Sequence, residues 1–247
     1  MSLTEHGRLL AQELKVGFKI IENACALLRQ DRYGLRLKAP STLTVRWLLR
    51  ALDAFKKVED NCSVQLSSVW MDIDSVDFYS EPYDCAILLA SGRFPADIES
   101  FKLFDEWLIP VCHPDYMTQA QPQLSDLPRC EFLHPSPDRR DWRRWLARMD
   151  ALDISIDQGQ VFDTLDQGIS AAQQGLGISV VDLVLASTDL AAGRLVTPFK
   201  HAVATGDGYY MTWLKASPKA RQMHKLRDFL LGQVPPLAYK DINYLYG

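Results

Sequence analysis

Long apolar runs are missing from this sequence. No stretch approaches the ~18 consecutive apolar residues that a membrane-spanning helix needs. The first residues, Met1 to His6, also lack a basic region followed by an apolar core, so they do not resemble a secretory signal. We therefore expect a cytoplasmic protein with no membrane partner.

Motifs that carry chemistry are missing as well. The five cysteines are scattered without a C-x-x-C pair, which predicts buried, reduced thiols rather than disulfides or a zinc site. The five histidines show neither H-x-H nor H-E-x-x-H spacing, and G-x-S-x-G, Walker and G-x-G-x-x-G motifs are absent. The sequence thus predicts no catalytic residue, no cofactor and no metal site, and hence not an enzyme.

An excess of basic residues is also missing. The net charge is −4, and no long basic face is visible. A nucleic-acid-binding domain normally carries such a face. We expect this chain by itself to bind DNA weakly or not at all. Its 247 residues suffice for one large or two modest domains.

The stretch Leu35–Phe55 combines a strand pattern with a helix pattern. Leu35–Ala39 is a short apolar run typical of a buried strand, and an amphipathic helix pattern starts at Thr44. The Pro40-Ser41-Thr42 break between them predicts a helix capped by a side-chain hydroxyl. Backbone N–H groups and the positive end of the helix dipole would then face outward at the edge of a sheet, where small anions bind. A capped helix with nothing bound is the alternative.

The same arrangement recurs far along the chain. Val161–Thr164 leads into a predicted helix over Leu165–Gly175, and Ile178–Val181 follows as another buried strand. Two strand–hydroxyl–helix units predict two sheet domains whose helix N-termini face a shared cleft.

A proline-free segment opens the chain and predicts one long helix from about Leu3 to Arg29. Apolar residues at heptad spacing form a seam that we interpret as a dimer contact through Leu10, Leu14, Ile21 and Leu28. The alternative is a terminal helix packed on the chain's own core.

The remaining patterns alternate between strand and helix, which favours an α/β protein. Predicted strands are Ser63–Val69, Cys85–Leu89, Phe101–Val111 and Tyr209–Leu214; predicted helices are Pro114–Thr118, Asp138–Met149, Asp182–Ser187 and Lys219–Leu231. The last residues, Gln233–Gly247, look untethered.

Several segments carry a family resemblance. Those segments are Leu3–Gly7 (LTEHG), Ala39–Thr42 with Arg46–Leu49, Asp105–Leu108 with Val111–Tyr116, Gly175–Ile178 and Asp189–Val196. In this order, over roughly residues 3–232, they resemble the LysR-type transcriptional regulators. The Asp141–Trp145 segment is similar to the branch that includes the glycine-cleavage activator and the β-lactamase regulator.

This resemblance implies two Rossmann-like α/β subdomains around a cleft, as in periplasmic binding proteins, preceded by a long linker helix. The implied boundaries are 1–34 for the linker helix, with the end of a winged helix-turn-helix at 3–7, 35–106 with 212–235 for subdomain I, 107–208 for subdomain II and 236–247 for a C-terminal tail. Two crossover strands would connect the subdomains, with a separate parallel-dominated sheet on each side.

The resemblance also implies a function. A bacterial regulator of this family senses a small metabolite, forms a homodimer or homotetramer, and binds promoter DNA through a helix-turn-helix that we expect to precede this chain. The effector is expected to be anionic or zwitterionic. Candidate binding residues are Ser41, Thr42 and Thr44, which share one role, together with Ser91, His134, Thr164 and, by resemblance, Tyr209.

Two other classes of protein remain as alternatives. A solute-binding protein of a transporter would have the same two-domain fold, but it needs a signal peptide or lipid anchor. An enzyme on this fold would need a paired acid and base or a metal constellation, and neither is visible.

Overall fold

The computed structural model describes residues 34–60, 62–69, 76–117, 122–237, 239 and 241–246, and in the opening segment residues 4, 7, 10, 14, 17, 18 and 21. Strands and helices alternate along most of this length, as the sequence pattern predicts.

The first lobe is built on a strand–helix unit. Strand β1 (Gly34–Pro40) points alternate side chains into the core. It runs directly into helix α1, which consists of an α-helical turn (Ser41–Leu43), a π-helical stretch (Thr44–Leu48) and an α-helix (Leu49–Val58). Strands β2 (Ser63–Val69) and β3 (Cys85–Ala90) pair parallel to β1 on its two sides.

The start of α1 differs from the sequence prediction. The capping position is Pro40, which provides no side-chain hydrogen bond, so the expected hydroxyl cap is wrong. Ser41 and Thr42 lie inside the first turn because the helix begins one residue after the proline-terminated strand. Their hydroxyl groups are therefore available for contacts outside the helix.

Two long strands connect the lobes. Strands β4 (Ile98–Val111) and β8 (His201–Leu214) have 14 residues each and pair antiparallel to one another. The predicted strand at Tyr209–Leu214 is only the last part of β8. Each long strand also pairs with a strand of one lobe: β8 with β3 in the first lobe, and β4 with β7 (Ile178–Asp182) in the second.

The second lobe repeats the parallel pattern. Strands β5 (Phe132–His134) and β6 (Gln160–Val161) pair parallel to each other, and β5 also pairs parallel to β7. The helices of this lobe are α2 (Arg140–Arg148), α3 (Leu165–Gln173) and α4 (Leu183–Ala191), with a 3₁₀ segment at Leu124–Arg129. Helix α5 (Ala220–Leu231) returns the chain to the first lobe. The described residues of the predicted helix at Pro114–Thr118 form turns instead.

Backbone pairing runs through both lobes as one ladder in the order β2-β1-β3-β8-β4-β7-β5-β6. The expectation of two separate sheets is therefore wrong. The reason is that β4 and β8 are long enough to pair with each other and with both lobes. Among the described residues the packing still forms three apolar clusters, one centred on the first lobe, which also includes Val184 and Leu185 of α4, and two in the second lobe.

The end of the chain is attached, contrary to the sequence prediction. Strand β9 (Asn243–Leu245) pairs parallel to the start of β8. Ile242 is 8% exposed, and the Trp107 ring contacts the rings of Tyr244 and Tyr246 at centroid distances of 5.1 and 5.0 Å. A strand of three residues is too short for its pattern to stand out in a sequence.

The described residues of the opening segment are helical from Gly7 to Ile21. Leu10, Leu14, Phe18 and Ile21 are 49–62% exposed in the single chain, which packing on the chain's own core would not produce. Leu28 lies outside the described residues. Among the helices that the structure describes, none is long and apolar enough to cross a membrane.

Candidate functional site

A cleft lies between the two lobes, and residues from both line it. Its cavity volume is about 80 Å³, and the cleft is partly open to solvent. The lining residues are Pro40, Ser41, Thr42, Leu43, Leu89, Glu106, Leu108, Pro135, Ser136, Arg140, Asp141, Thr164, Leu165 and Tyr209.

Four of the predicted binding residues meet in this cleft: Ser41 and Thr42 from α1, Thr164 before α3, and Tyr209 on β8. The Thr164 hydroxyl caps α3, as predicted, by accepting a 3.2 Å hydrogen bond from the backbone N–H of Gln167. The Thr42 hydroxyl accepts a 3.2 Å hydrogen bond from the backbone N–H of Asp166. The N-terminus of α3 therefore touches α1 across the cleft.

The other three predicted residues do not line the cleft. Thr44 points into the core, is 4% exposed, and its hydroxyl has no hydrogen-bond partner among the described residues. Ser91 lies on an exposed bend after β3. His134 is fully buried at the end of β5, where its Nε2 lies 2.8 Å from the carbonyl oxygen of Gln158. Burial lowers the pKa of His134, which suits a neutral core imidazole.

Charged side chains that were not predicted from the sequence also line the cleft. Glu106 on β4 and Asp141 on α2 are 3% and 5% exposed, and Arg140 lies beside them. The Nε of Arg140 donates a 3.0 Å hydrogen bond to Asp141. The signal for Glu106 was available, since it is an acidic residue within a buried apolar strand, and buried charges usually have a specific partner or function.

Burial changes the protonation of this acidic group. It raises the pKa of Glu106 to about 8, with the Asp141 and Asp182 carboxylates as further causes. It also raises the pKa of Asp141. Asp182 lies fully buried behind them with its pKa raised by burial to about 7, although it accepts hydrogen bonds from the backbone N–H groups of Trp107 and Leu185. Near neutral pH this part of the cleft therefore holds protons that a more exposed site would release.

An ion-pair network joins the lobes beside the cleft. The Nε of Arg46 on α1 donates a 2.6 Å hydrogen bond to Asp166, and its Nη1 donates to Asp189 on α4. Asp189 also accepts a 2.8 Å hydrogen bond from Arg194. Since the Arg46 and Asp189 side chains are 14% and 4% exposed, this network is shielded from bulk solvent.

The cleft thus combines hydroxyl groups, a guanidinium and carboxyl groups on an apolar frame, which suits reversible binding of a small polar molecule. Among the residues that the structure describes, no group of three or more His, Cys, Asp or Glu side chains could hold a metal ion.

Comparison with known proteins decides the family. Residues 29–235 match the family described as the LysR substrate binding domain. The chain belongs to this LysR family.

Two curated LysR-type relatives cover most of the chain. The glycine cleavage system transcriptional activator of Escherichia coli strain K12 is 26% identical over 235 residues, which are 94% of this chain and 75% of the relative. The transcriptional regulator TrpI of Pseudomonas aeruginosa is 27% identical over 241 residues, covering 94% of this chain and 80% of the relative.

Solved LysR-type structures are similar as well. The effector domain of the transcriptional regulator AmpR of Pseudomonas aeruginosa superposes with a TM-score of 0.68, 27% identity, and coverage of 82% of this chain and 96% of that domain. The full-length virulence activator AphB of Vibrio cholerae matches in fold, with a TM-score of 0.65, 18% identity, and coverage of 95% and 81%.

These findings confirm the two-subdomain α/β fold of LysR effector-binding domains. They also confirm the prediction of a LysR-type transcriptional regulator over a transporter's solute-binding protein. The relatives named here are regulators of transcription, not enzymes.

Proposed function

We propose that this LysR effector-binding domain holds a small anionic or zwitterionic metabolite in the cleft between Ser41 and Thr42 on one side and Thr164 on the other, with Tyr209 on the long strand β8 as a further contact. The observation that carries the proposal is that these four hydroxyl side chains, from both lobes, line one cleft. Thr44, Ser91 and His134 are left out because they lie outside it.

Hydrogen-bond donors around the cleft support this choice of ligand. Helix α3 directs its N-terminus, with its positive dipole end, at the cleft beside Thr164. The guanidinium of Arg140 adds a cation. Each charge-assisted hydrogen bond to a ligand contributes ~1.5–3 kcal/mol, so the loss of one should weaken affinity roughly ten- to a hundredfold.

The contact between Thr42 and Asp166 suggests how binding is transmitted. A ligand between the lobes would compete for the Thr42 hydroxyl and the backbone N–H of Asp166, and it would change the angle between α1 and α3. A ligand shifts such an equilibrium only by its differential affinity for the two arrangements. In the regulator, this rotation would alter the spacing of DNA-binding domains through the linker helix.

The proposal also covers the domain boundaries, the oligomeric state and the location of the regulator. We assign residues 35–106 with 212–235 to one effector subdomain, 107–208 to the other, and 1–34 to the linker helix. The regulator acts as a homodimer or homotetramer in the cytoplasm, where its promoter DNA lies, and it catalyses no reaction. The exposed apolar residues of the opening helix support assembly through that helix.

A thermal-shift screen of amino acids, quaternary amines and organic acids tests the function. A compound at a hundred times its Kd should stabilise the chain by ~2.7 kcal/mol. Calorimetry with the strongest compound then compares Thr42→Ala, Thr164→Ala and Tyr209→Phe with the wild type, and Ser91→Ala is the control outside the cleft. If all three cleft variants fold and keep wild-type affinity, these hydroxyl groups do not hold the ligand and the proposal is wrong.

A further inference from the structure

We propose that the cleft binds a primary ammonium group through the carboxylate of Glu106, so that the effector is a zwitterion and not a simple anion. The inference rests on the proposed cleft site and narrows its ligand class.

The first argument is an unused acceptor. Glu106 is 3% exposed and lines the cleft, and its Oε2 accepts no hydrogen bond from any residue that the structure describes. The Nη1 of Arg144 lies 3.5 Å from this oxygen, and the same atom donates a 2.8 Å hydrogen bond to Asp207. Without a donor this buried carboxyl group keeps its proton, whereas an ammonium group carries three donors that an ionised oxygen could accept.

The second argument is the balance of charge around Glu106. Charged and polar side chains from three elements surround Glu106. They are Arg140, Asp141 and Arg144 on α2, Asp182 on β7, and Thr205, Asp207 and Tyr209 on β8. Arg140 is hydrogen-bonded to Asp141, and Arg144 to Asp207. The carboxyl groups thus outnumber the guanidinium groups, and a bound cation would offset the repulsion that ionisation of Glu106 creates.

The third argument concerns the other end of the ligand. The hydroxyl groups of Ser41 and Thr164 and the N-terminus of α3 also line this cleft, on elements other than β4. A zwitterion can place its carboxylate there and its ammonium at Glu106. A simple anion would use the donors but would leave the Glu106 oxygen without a partner.

Binding of an ammonium group should release a proton. Because burial raises the pKa of Glu106 to about 8, this side chain is largely neutral at pH 7 before binding. An ammonium stabilises the ionised form, so the proton leaves to the buffer on binding. Affinity for an amine should therefore increase from pH 6 to pH 8, while affinity for a simple acid should not.

Matched probes distinguish the contribution of the ligand's ammonium group to binding from that of its carboxylate. Three series vary the side chain: alanine with ethylamine and propionate, leucine with isopentylamine and 4-methylpentanoate, and phenylalanine with 2-phenylethylamine and 3-phenylpropionate. Thermal shift and calorimetry compare the members of each series on the wild-type chain. We expect the amino acid of at least one series to bind at least tenfold more tightly than its acid partner.

The variant Glu106→Gln removes the charge with little change in shape, and Glu131→Gln makes the same change at an exposed position outside the cleft. We expect Glu106→Gln to weaken binding of the amine-bearing probe at least tenfold and to abolish proton release, measured by calorimetry in two buffers of different ionisation enthalpy. Glu131→Gln should behave like the wild type. The pH dependence of wild-type binding tests the same inference without a variant.

Several outcomes would overturn the inference. They are equal binding of acids and amino acids, no binding by any amine-bearing probe, or amine binding that keeps its affinity in Glu106→Gln. If acids alone bind and Thr42→Ala weakens them, the proposed cleft stands and the ammonium inference fails. If Glu106→Gln weakens amine binding but Thr42→Ala, Thr164→Ala and Tyr209→Phe do not, the hydroxyl contacts are wrong and the ammonium contact stands.

Discussion

A carboxyl group within an apolar strand reduces the stability of the protein whenever it must ionise. Glu106 is such a group, and its folded-state pKa of about 8 is above the ordinary value of 4.5. Between these pH values the folded chain binds a proton that the unfolded chain has released. The free energy of unfolding therefore falls as pH rises through this window.

Glu106→Gln should remove this pH-dependent loss. At pH 8.5 we expect the free energy of unfolding of the variant to exceed that of the wild type by roughly 1–3 kcal/mol. At pH 5 this difference in stability should be smaller. Differential scanning calorimetry at both pH values measures the change, which corresponds to about 2–4 °C per kcal/mol for a chain of this size. A difference that is the same at pH 5 and pH 8.5 would contradict the raised pKa.

Thr164 has two functions at the residue scale, since it caps α3 and lines the cleft. Thr164→Ala should lower the free energy of unfolding by ~1 kcal/mol because the backbone N–H of Gln167 loses its partner. Thr164→Ser keeps the hydroxyl and should retain most of the stability. Urea denaturation distinguishes the two, and equal losses in both variants would mean that the cap does not stabilise the helix.

Only some residues of the candidate site could be predicted from the sequence. Thr164 could be identified from the sequence because a hydroxyl residue immediately before a helix pattern strongly prefers the N-cap position. Ser41 and Thr42 were placed in the correct turn but at the wrong helical position, since Pro40 takes the cap. The acidic Glu106 within an apolar strand was visible in the sequence, but its meeting with Arg140 and Asp141 depends on how β4 and α2 pack, which no local pattern encodes.

At the element scale, the contact between α1 and the second lobe depends on Arg46. Arg46→Met should lower the free energy of unfolding by roughly 1–3 kcal/mol, because Asp166 and Asp189 lose a buried partner. The loss is limited because Arg194 still pairs with Asp189. Arg50→Met on the exposed part of α1 is the matched control. If urea denaturation gives similar values for both variants, the network does not hold the lobes together.

The C-terminal strand is the element that sequence patterns failed to detect. Ile242→Ala should cost roughly 2–4 kcal/mol because the side chain belongs to the apolar cluster of the second lobe. Leu152→Ala is the control, since Leu152 is 68% exposed. Chemical denaturation that finds no difference between the two would mean that the tail is not packed.

Predictions for the elements succeeded where local periodicity governs the structure and failed where distant pairing governs it. Helices α3 and α5 were located to within about two residues, because their apolar spacing and their boundaries are both local. The continuity of the sheet was not predictable, because β4 and β8 must both be long and must pair along their whole length. The attachment of β9 depends likewise on the distant start of β8.

At the scale of the whole molecule, assembly is the first question. The exposed apolar side chains of Leu10, Leu14, Phe18 and Ile21 recur at helical spacing, as a contact between helices requires. Ile21→Asp should shift the chain toward the monomer, because a charge in an apolar seam is unfavourable. Light scattering measures the mass, with Leu152→Asp as a control on an exposed surface. A wild-type chain that is already monomeric would contradict the dimer prediction.

The central claim is that a small polar molecule binds between the lobes and is held from both sides. A crystal structure of the chain with the amino acid that stabilises it most in the matched series tests this claim most directly. We predict density for that molecule in the cleft, with its carboxylate within about 3.2 Å of the Ser41 or Thr164 hydroxyl group and its ammonium at a similar distance from Glu106. Density outside the cleft, for example against Phe78 and Phe94 on the first lobe, would contradict the account.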